Sequence, residues 1–352
     1  MEKKISLWFI CSALLLLSGC EKNHTPAEEE TPVPVGFRAM SQAAIVSGDS
    51  QQTKAPLSEY QIDRFGVWGI ATEPTYDPYI LWDDSVLTEV AQVSGSNVYV
   101  PVEDAFWFTG YTYDFLALAP YESGVTGLKI DKNLAGTPQT ADPSVSFTFD
   151  MAQKYGETYL FDLMGAAAHA GPISQKPTEQ PLTFWHLFSK ININVIFVNA
   201  SGAEIKTDIP EVKRILLRNI RTKADYEFSY NPSSDDNLSV SCDLSPYAAL
   251  ADLEFTGPRH TFHIIPQNIG EFKMYMDFNM KENGQTVTFT DYEINLFPTS
   301  GIPKDYHYNS QYNWNIKISP KAEISFDVEV NPWTITYVSD GDSDPNNEIE
   351  II

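Results

Sequence analysis

The sequence has few cysteines. There are three in 352 residues, and only Cys242 lies beyond the first twenty positions. The body of the protein therefore has no internal disulfide, and Cys242 is interpreted as a buried structural thiol. A hydrophobic core must stabilise the fold, and the composition allows a large one, because 43% of the residues are hydrophobic and 13% are aromatic.

Positive charge is also scarce. The 23 Lys and Arg residues stand against 47 Asp and Glu residues, which gives a formal net charge of −24 at pH 7. A chain this acidic is repelled by nucleic acid and by anionic lipid headgroups, so we expect neither as a partner. The excess of acidic residues fits an exported protein that must stay soluble at a cell surface.

The common catalytic motifs are absent. The sequence contains no Gly-x-Ser-x-Gly elbow, no His-Glu-x-x-His pair, no P-loop and no Gly-rich dinucleotide turn. His260 and His263 are three residues apart in an expected strand, which places them on opposite faces. Asp340–Asp344 resembles the start of an EF-hand loop, but Pro345 stands where that loop needs glycine. We therefore predict no enzyme activity, no cofactor and no metal site.

Three aromatic residues, Trp107, Tyr111 and Tyr113, lie close together in one short segment. Exposed, they would form a platform on which sugar rings could stack; buried, they would belong to the core. Their alternation is typical of a strand and favours the core.

A short apolar run lies at the N-terminus. Ile5–Leu17 follows two lysines and is thirteen residues long, whereas a membrane-spanning helix needs about 20. This size and order predict a signal peptide at residues 1–19. Leu17-Ser18-Gly19-Cys20 matches a lipobox, in which the thiol of Cys20 is acylated. Two or more acyl chains make a stable membrane anchor, so Cys20 is the predicted lipidation site.

The remaining chain divides into a tether and two expected domains. Residues 20–34 contain Glu28–Glu30 and few apolar side chains, so we predict a disordered tether. The rest is longer than one core usually supports. The linker-like stretch Gly171–Pro181 places the boundary between an N-terminal domain at 35–175 and a C-terminal domain at 180–352.

Apolar and polar residues alternate repeatedly along the body. This period of two is typical of half-buried strands, and it recurs at Val145–Phe149, Ile191–Val195, Phe272–Met280, Gln285–Phe289, Trp314–Ile318 and Ile324–Val330. Lys281–Gly284 predicts a hairpin between two of these strands. Helical periodicity is scarce, with one candidate helix around Met151–Gly165. The sequence thus predicts a mostly β protein built of sandwiches.

Several segments, taken in order, resemble the fimbrillin family, the subunits of the lipoprotein-derived pili of anaerobic gut and oral bacteria. After the lipobox and the tether, they are Val35–Ala39, Thr53-Lys54-Ala55, Phe65–Ile70, Asp162–Ala166, Leu182–Lys190, Asn313–Ile318 and Asn331-Pro332-Trp333. The resemblance implies two tandem transthyretin-like β-sandwich domains and assembly by strand exchange. In the stalk subunits of this family, a trypsin-like protease removes the lipid, the tether and the first strand, and a neighbouring subunit's C-terminal strand fills the vacated groove.

The resemblance also implies particular residues for these steps. The cut is expected between Lys54 and Ala55, with Arg38 as the alternative, although family members are often cut after arginine. The donor strand would come from the segment that contains Trp333, Ile335 and Tyr337, or from Glu348–Ile352. The tail after Trp333 has only nineteen residues, which suits a tip or anchor subunit as well as a stalk subunit.

The implied location is the fimbrium at the outer membrane and cell surface. The implied partners are other pilus subunits, the membrane through the lipid on Cys20, and a host or microbial surface ligand. An alternative function is a surface glycan-binding lipoprotein of a nutrient-uptake system, which would carry clustered exposed aromatic residues in a groove. A hydrolase is the third reading, and it would need a cleft with two converging carboxylates.

Overall fold

The described part of the chain is almost entirely β, as the alternating pattern predicts. The structure is a computed structural model that describes residues 32–41, 62 and 64–333, apart from short gaps. The gaps are at 74, 84, 95, 97, 122–123, 137–139, 154–160, 207–209, 235–236, 249, 283–284, 298–301 and 320–323. Within these described ranges, no helix is both long enough and apolar enough to cross a membrane.

Twenty strands are traced in the described residues. In chain order they are β1 (Phe37–Ser41), β2 (Arg64–Glu73), β3 (Tyr76–Ile80), β4 (Thr88–Gln92), β5 (Tyr99–Pro101), β6 (Thr112–Ala119), β7 (Thr126–Asp131), β8 (Ser144–Asp150), β9 (Met164–Ala170), β10 (Gln180–His186), β11 (Ser189–Phe197), β12 (Val212–Arg221), β13 (Lys223–Tyr230), β14 (Leu238–Asp243), β15 (Leu250–Phe255), β16 (Arg259–Ile264), β17 (Lys273–Glu282), β18 (Gln285–Ile294), β19 (Ser310–Ile318) and β20 (Ile324–Pro332).

Seven strands of the largest sheet close into a ring. The order around the ring is β2-β4-β5-β1-β10-β9-β6, and β6 pairs with β2 again to complete it. β3 extends the sheet from β2. Side chains that point into the ring form an aromatic core that includes Phe65, Phe115 and Phe184. β2 and β6 are buried on both faces, which is why their sequences are apolar runs with no alternation.

A second layer covers one outer side of the ring. This sheet has the order β14-β13-β8-β7, and its core contains Trp68 and Leu116 from the ring together with Phe147 and Tyr226 from the covering sheet. β8 comes before the predicted domain boundary and β13 comes after it, yet the two strands pair over seven residues. We call this the interleaved sheet. The division into domains at 35–175 and 180–352 stays a prediction.

The remaining strands form a sandwich of two four-stranded sheets. Their orders are β16-β11-β19-β20 and β15-β12-β17-β18, and Ile193, Met276 and Trp314 lie in the core between them. β11 and β19 pair in parallel over nine residues. On their outer face Asn192 donates a hydrogen bond to Asn313 at 2.8 Å, and Asn194 donates to Asn315 at 3.4 Å. We call these four residues the amide ladder.

The predicted strands agree with the structure, but the described ends of the predicted helix are not α-helical, and its middle, residues 154–160, lies outside the described residues. Five of the six alternating segments lie within strands, and the sixth, Phe272–Met280, begins one residue before β17. β17 and β18 pair up to Glu282 and Gln285, as the hairpin prediction requires. In place of a helix around Met151–Gly165, the described residues show one 3₁₀ turn at Met151–Gln153 and the start of β9 at Met164. β9 pairs with β6 along seven residues, and this tertiary pairing outweighs the helix propensity of its alanines. The transthyretin-like topology implied by the family resemblance stays a prediction.

Candidate functional site

β1 is the candidate site, because it is a short strand inserted between parts of the chain that are distant in sequence. It pairs in parallel with β10 over five residues and meets β5 through Phe37 and Tyr99. Just before the strand, the Val35 N–H donates to the Ala105 carbonyl oxygen at 2.7 Å. The segment is therefore held from both sides, but it shares no hairpin turn with either neighbour.

The side chain of Phe37 fills the centre of the ring. It is fully buried, as is Val35 beside it. Its ring centroid lies 5.3 Å from that of Phe115, 6.1 Å from that of Phe65 and 6.2 Å from that of Trp82. The contacts with Phe115 and Phe65 are edge-to-face, the arrangement that aromatic quadrupoles favour. If β1 left, it would open a groove lined by these aromatic rings, which we call the aromatic seat.

Arg38, the alternative cleavage residue, points away from the aromatic seat. Its side chain is 56% exposed, and its Nε lies 2.8 Å from Oε2 of Glu179. Its backbone is part of the paired strand. Proteases preferentially cut exposed and poorly ordered segments, so β1 would have to leave the sheet before Arg38 could be cut. Lys54 and Ala55, the first predicted cleavage site, lie outside the described residues, as does Cys20.

Trp333, the first residue of the expected donor segment, is buried in its own chain. Its ring lies flat against His186, with centroids 3.8 Å apart and planes 7° apart. The ring of His263 meets it edge-on at 4.4 Å, and the Trp333 N–H donates to the Asn309 carbonyl oxygen at 3.1 Å. Trp333 thus fixes the point where the tail begins. Ile335 and Tyr337 lie outside the described residues.

The histidines beneath Trp333 are buried and paired, an arrangement that sequence reasoning missed. Nδ1 of His186 lies 2.6 Å from Oδ2 of Asp162, and Nδ1 of His263 lies 2.9 Å from the Phe161 carbonyl oxygen. Burial lowers the pKa of His263 to about 4, so it is neutral at pH 7. The partners come from separate strands and loops, so no local sequence signal points to them.

The other chemically notable residues occupy structural positions. Trp107 and Tyr113 are buried in the ring core, so their interpretation as core residues is confirmed. His260 stacks on Phe255 inside the sandwich while His263 contacts Trp333 outside it, so the prediction of opposite faces is also confirmed. Burial raises the pKa of Cys242 to about 12. Within the described ranges, no three His, Cys, Asp or Glu side chains are placed to hold a metal ion.

Solved structures with a similar course of the chain include proteins of Bacteroides species. A fimbrial protein of Bacteroides vulgatus is 14% identical, with a TM-score of 0.49 over 85% of this chain and 99% of its own. A protein of Bacteroides uniformis, provisionally described as a cell adhesion protein, is 15% identical, with a TM-score of 0.46 over 88% of this chain and 100% of its own. Likenesses this distant carry no functional conclusion. The comparison with curated proteins finds no match.

The family assignment rests on a different comparison, made with whole protein families. The model of the fimbrillin-like family matches residues 53–333, which is most of the chain and includes nearly all of the described strands. The match begins next to Lys54 and ends at Trp333, so it contains every strand from β2 to β20, and β1 lies before it. The chain therefore belongs to the fimbrillin-like family.

Proposed function

We propose that the protein is a pilus subunit that is exported as a lipoprotein and assembled by strand exchange. Membership of the fimbrillin-like family supports the pilus role and an association with fimbriae at the cell surface. One structural observation carries the proposal for strand exchange. β1 forms part of the closed ring, yet both its neighbours are distant in sequence. Another strand could therefore take its place without any change in the surrounding turns.

The cut that releases β1 is assigned to Lys54 rather than to Arg38. A cut after Lys54 separates all of β1 from β2, whereas a cut after Arg38 requires a paired strand to unfold first. After the cut at Lys54, β1 leaves together with the lipidated Cys20. In this scheme the lipid delivers the subunit to the outer membrane and is then discarded, and an uncut subunit would remain at the membrane as an anchor.

The incoming strand must fill the aromatic seat. Val35, just before β1, and Phe37, its first residue, are two positions apart and both belong to the core of the ring. The tail repeats this spacing with Ile335 and Tyr337, a branched aliphatic residue followed by an aromatic one. An apolar pocket beside unpaired backbone groups is a strong template for such a strand. Because Trp333 is buried in its own chain, the donated segment begins after it.

Limited proteolysis tests this scheme. The purified chain is treated with a trypsin-like protease beside the variants Lys54→Ala and Arg38→Ala. We expect the wild type and Arg38→Ala to be cut after residue 54, by mass spectrometry, and to form ladders of oligomers on unheated gels. Lys54→Ala should resist this cut and stay monomeric.

A further variant separates cutting from assembly. Tyr337→Asp should be cut normally but form no ladder, because a carboxylate cannot be buried in the aromatic seat without a large desolvation cost. A conservative control, Tyr337→Phe, should assemble. The proposal of strand exchange is contradicted if the cut wild-type protein stays monomeric, or if Tyr337→Asp assembles as well as the control.

A further inference from the structure

Most of the large hydrophobic side chains that the described residues expose lie between residues 76 and 108. Among them, Tyr76 is 70% exposed, Tyr79 is 51% exposed and Phe108 is 40% exposed. Together with the half-buried Tyr111 we call them the aromatic corner. The Phe, Tyr and Trp side chains on the seven ring strands are all buried, so an exposed group of rings requires an explanation beyond folding.

A β-bulge places the two tyrosines of β3 on one face. Tyr79 pairs with Ala71 and Tyr76 pairs with Glu73, so three residues of β3 span the interval that two residues of β2 cover. Since Ala71 and Glu73 are two apart and share a face, their partners share it too. Without the bulge, residues three apart would point in opposite directions. The irregular pairing therefore brings both tyrosine rings to the same surface.

A tight turn fixes the other two rings of the aromatic corner. The Tyr111 N–H donates to the Phe108 carbonyl oxygen at 3.4 Å, and Gly110 between them has a φ of 90°, as the third residue of a type II turn requires. The Phe108 N–H donates to the hydroxyl of the buried Tyr113. The Gly110 N–H donates to the Ile173 carbonyl oxygen at 2.8 Å. The turn that carries the rings of Phe108 and Tyr111 is thus held in place by hydrogen bonds.

The rings of the aromatic corner meet at open angles. Tyr79 and Phe108 stand at 89° with centroids 5.8 Å apart, and Phe108 and Tyr111 stand at 50° with centroids 5.4 Å apart. Tyr79 and Phe108 both remain exposed beyond this edge-to-face contact, so part of their ring faces is open to solvent. The faces of aromatic rings carry negative potential, so such an arrangement suits a cation.

The charge around the aromatic corner has one sign. Residues 65–128 contain nine Asp and Glu residues and not one Lys, Arg or His. Asp77 lies between the two tyrosines on β3, and Asp104 shortly precedes Phe108; both are exposed. The carboxylates would repel an acidic sugar and contribute little to a neutral one, but they would attract a cation.

We propose that the aromatic corner is a binding surface for an arginine-bearing segment of a partner protein. The planar guanidinium stacks on a tyrosine or phenylalanine face and donates hydrogen bonds to a neighbouring carboxylate such as Glu73, the cross-strand partner of Tyr76. The site is formed by β3 and the turn at 108–111, and the hydrogen bonds from this turn to Tyr113 and Ile173 do not involve β1. Its role is recognition, and it is separate from the aromatic seat.

Titration of the intact chain with two matched peptides tests this proposal. The first is a short Gly/Ser peptide that carries several arginines, and the second has the neutral isostere citrulline in their place. We expect the arginine peptide to bind and the citrulline peptide not to bind. Tyr79→Leu and Phe108→Leu keep apolar area but remove the ring face, and each should weaken binding about two- to fivefold, the value of an exposed cation–π contact.

The control must separate this site from general attraction to an acidic protein. Leu250→Ala changes another exposed side chain, on β15 of the sandwich, and should leave the affinity unchanged. All three substituted positions are exposed, so circular dichroism should show native folding. The proposal would be overturned if Tyr79→Leu and Phe108→Leu bound the arginine peptide as tightly as the wild type, or if the citrulline peptide bound. It would also be overturned if a neutral oligosaccharide bound to the rings and the arginine peptide did not.

Discussion

The described residues contain two parallel strand pairs within sheets that are otherwise antiparallel, and the two pairs differ in how firmly they are held. β1 and β10 pair over five residues in the ring, while β11 and β19 pair over nine in the sandwich. The longer pair has a full antiparallel strand on each side, β16 and β20. The shorter pair has β5 beside β1, with a single pairing through Phe37 and Tyr99.

Side-chain contacts also hold the longer pair more firmly than the shorter one. The amide ladder links β11 to β19 on the outer face, and Thr261 extends it to β16 by donating to Asn192 at 2.8 Å. The outer face of β1 has the exposed ion pair of Arg38 with Glu179 instead. Most of the hold on β1 therefore comes from its apolar inner side, which a chemically similar strand can reproduce. The longer pair is held on both sides, and the shorter pair is the one that the proposed strand exchange would replace.

The largest expected effect tests this contrast directly. Trp314 in β19 and Phe37 in β1 are both fully buried, so substitution of either by alanine should cost about 3–5 kcal/mol of unfolding free energy in the intact chain. After the cut at Lys54 and assembly, Trp314→Ala should still be destabilising and Phe37→Ala should have no effect, because β1 is gone. Urea unfolding of both forms measures this. A loss of stability caused by Phe37→Ala in the assembled form would show that β1 stays in place.

The next effect concerns pH, and it has opposite signs in the two regions. Burial lowers the pKa of His263 in the sandwich to about 4. Between about pH 6.5, the ordinary pKa of histidine, and pH 4, His263 therefore binds a proton in the unfolded chain but not in the folded one. Stability should therefore fall by about 3 kcal/mol as the pH drops from about 6.5 to about 4. In the ring, the hydrogen bond with Asp114 raises the pKa of His169. The stabilisation that protonated His169 gives the folded state is fully present below the pKa of histidine in the unfolded chain. It is lost as the pH rises through the raised pKa of the folded state.

His263→Gln separates these two contributions. Glutamine retains a donor for the Phe161 carbonyl oxygen but does not titrate. The loss of unfolding free energy between about pH 6.5 and pH 4 should therefore shrink by most of the amount assigned to His263. His169→Gln should leave that acid-side fall in place. Urea unfolding at a series of pH values makes the comparison. An unchanged acid-side slope in His263→Gln would contradict the buried, neutral assignment of His263.

A smaller effect is expected in the amide ladder. Asn192 donates to Asn313 and accepts from Thr261, so Asn192→Ala removes two hydrogen bonds from a half-buried face. We expect a loss of about 1–2 kcal/mol with native folding retained. Thr183→Ala, in the β10 strand that pairs with β1, is the matched change beside the shorter parallel pair and should cost less. A larger loss for Thr183→Ala would reverse the ranking of the two pairs.

The smallest effect is expected at the outer face of β1. The ion pair of Arg38 with Glu179 is exposed, and such pairs contribute about 0–1 kcal/mol. Arg64→Ala is a close control, because Arg64 forms a similarly exposed pair with Glu89 at 3.0 Å. Both variants should unfold within about 1 kcal/mol of the wild type in urea. A much greater loss for Arg38→Ala would mean that the polar face helps to keep β1 in the ring.

The sequence predicts strands well where one face of a sheet is buried. β11 alternates buried and half-buried residues along its whole length, and its position follows from that pattern. β2 has no alternation because both its faces are covered, and the family resemblance supplied its assignment as an apolar strand. β9 misleads local reasoning, since its glycine and alanines carry no strand signal and only its pairing with β6 makes it a strand.

The candidate site was only partly accessible from the sequence. The segment around Val35–Ala39 is identified by the resemblance, but the aromatic seat is built from residues scattered between Phe65 and Phe184, and no local pattern links them to Phe37. Arg38 and Glu179 are 141 positions apart. Trp333 was expected in the donor segment, and its burial against His186 and His263 depends on tertiary contacts. Cys20 and Lys54 remain predictions from sequence motifs.

The interleaved sheet has a mechanical consequence. In a fibre assembled as proposed, tension enters each subunit near the aromatic seat and leaves through the tail after Trp333. Between these points, β8 and β13 pair along seven residues. Hydrogen bonds of the interleaved sheet therefore connect a strand from the first half of the chain to a strand from the second half. They cannot separate under tension until the pairing of β8 with β13 breaks. The load is thus spread over many hydrogen bonds instead of falling on one connecting segment.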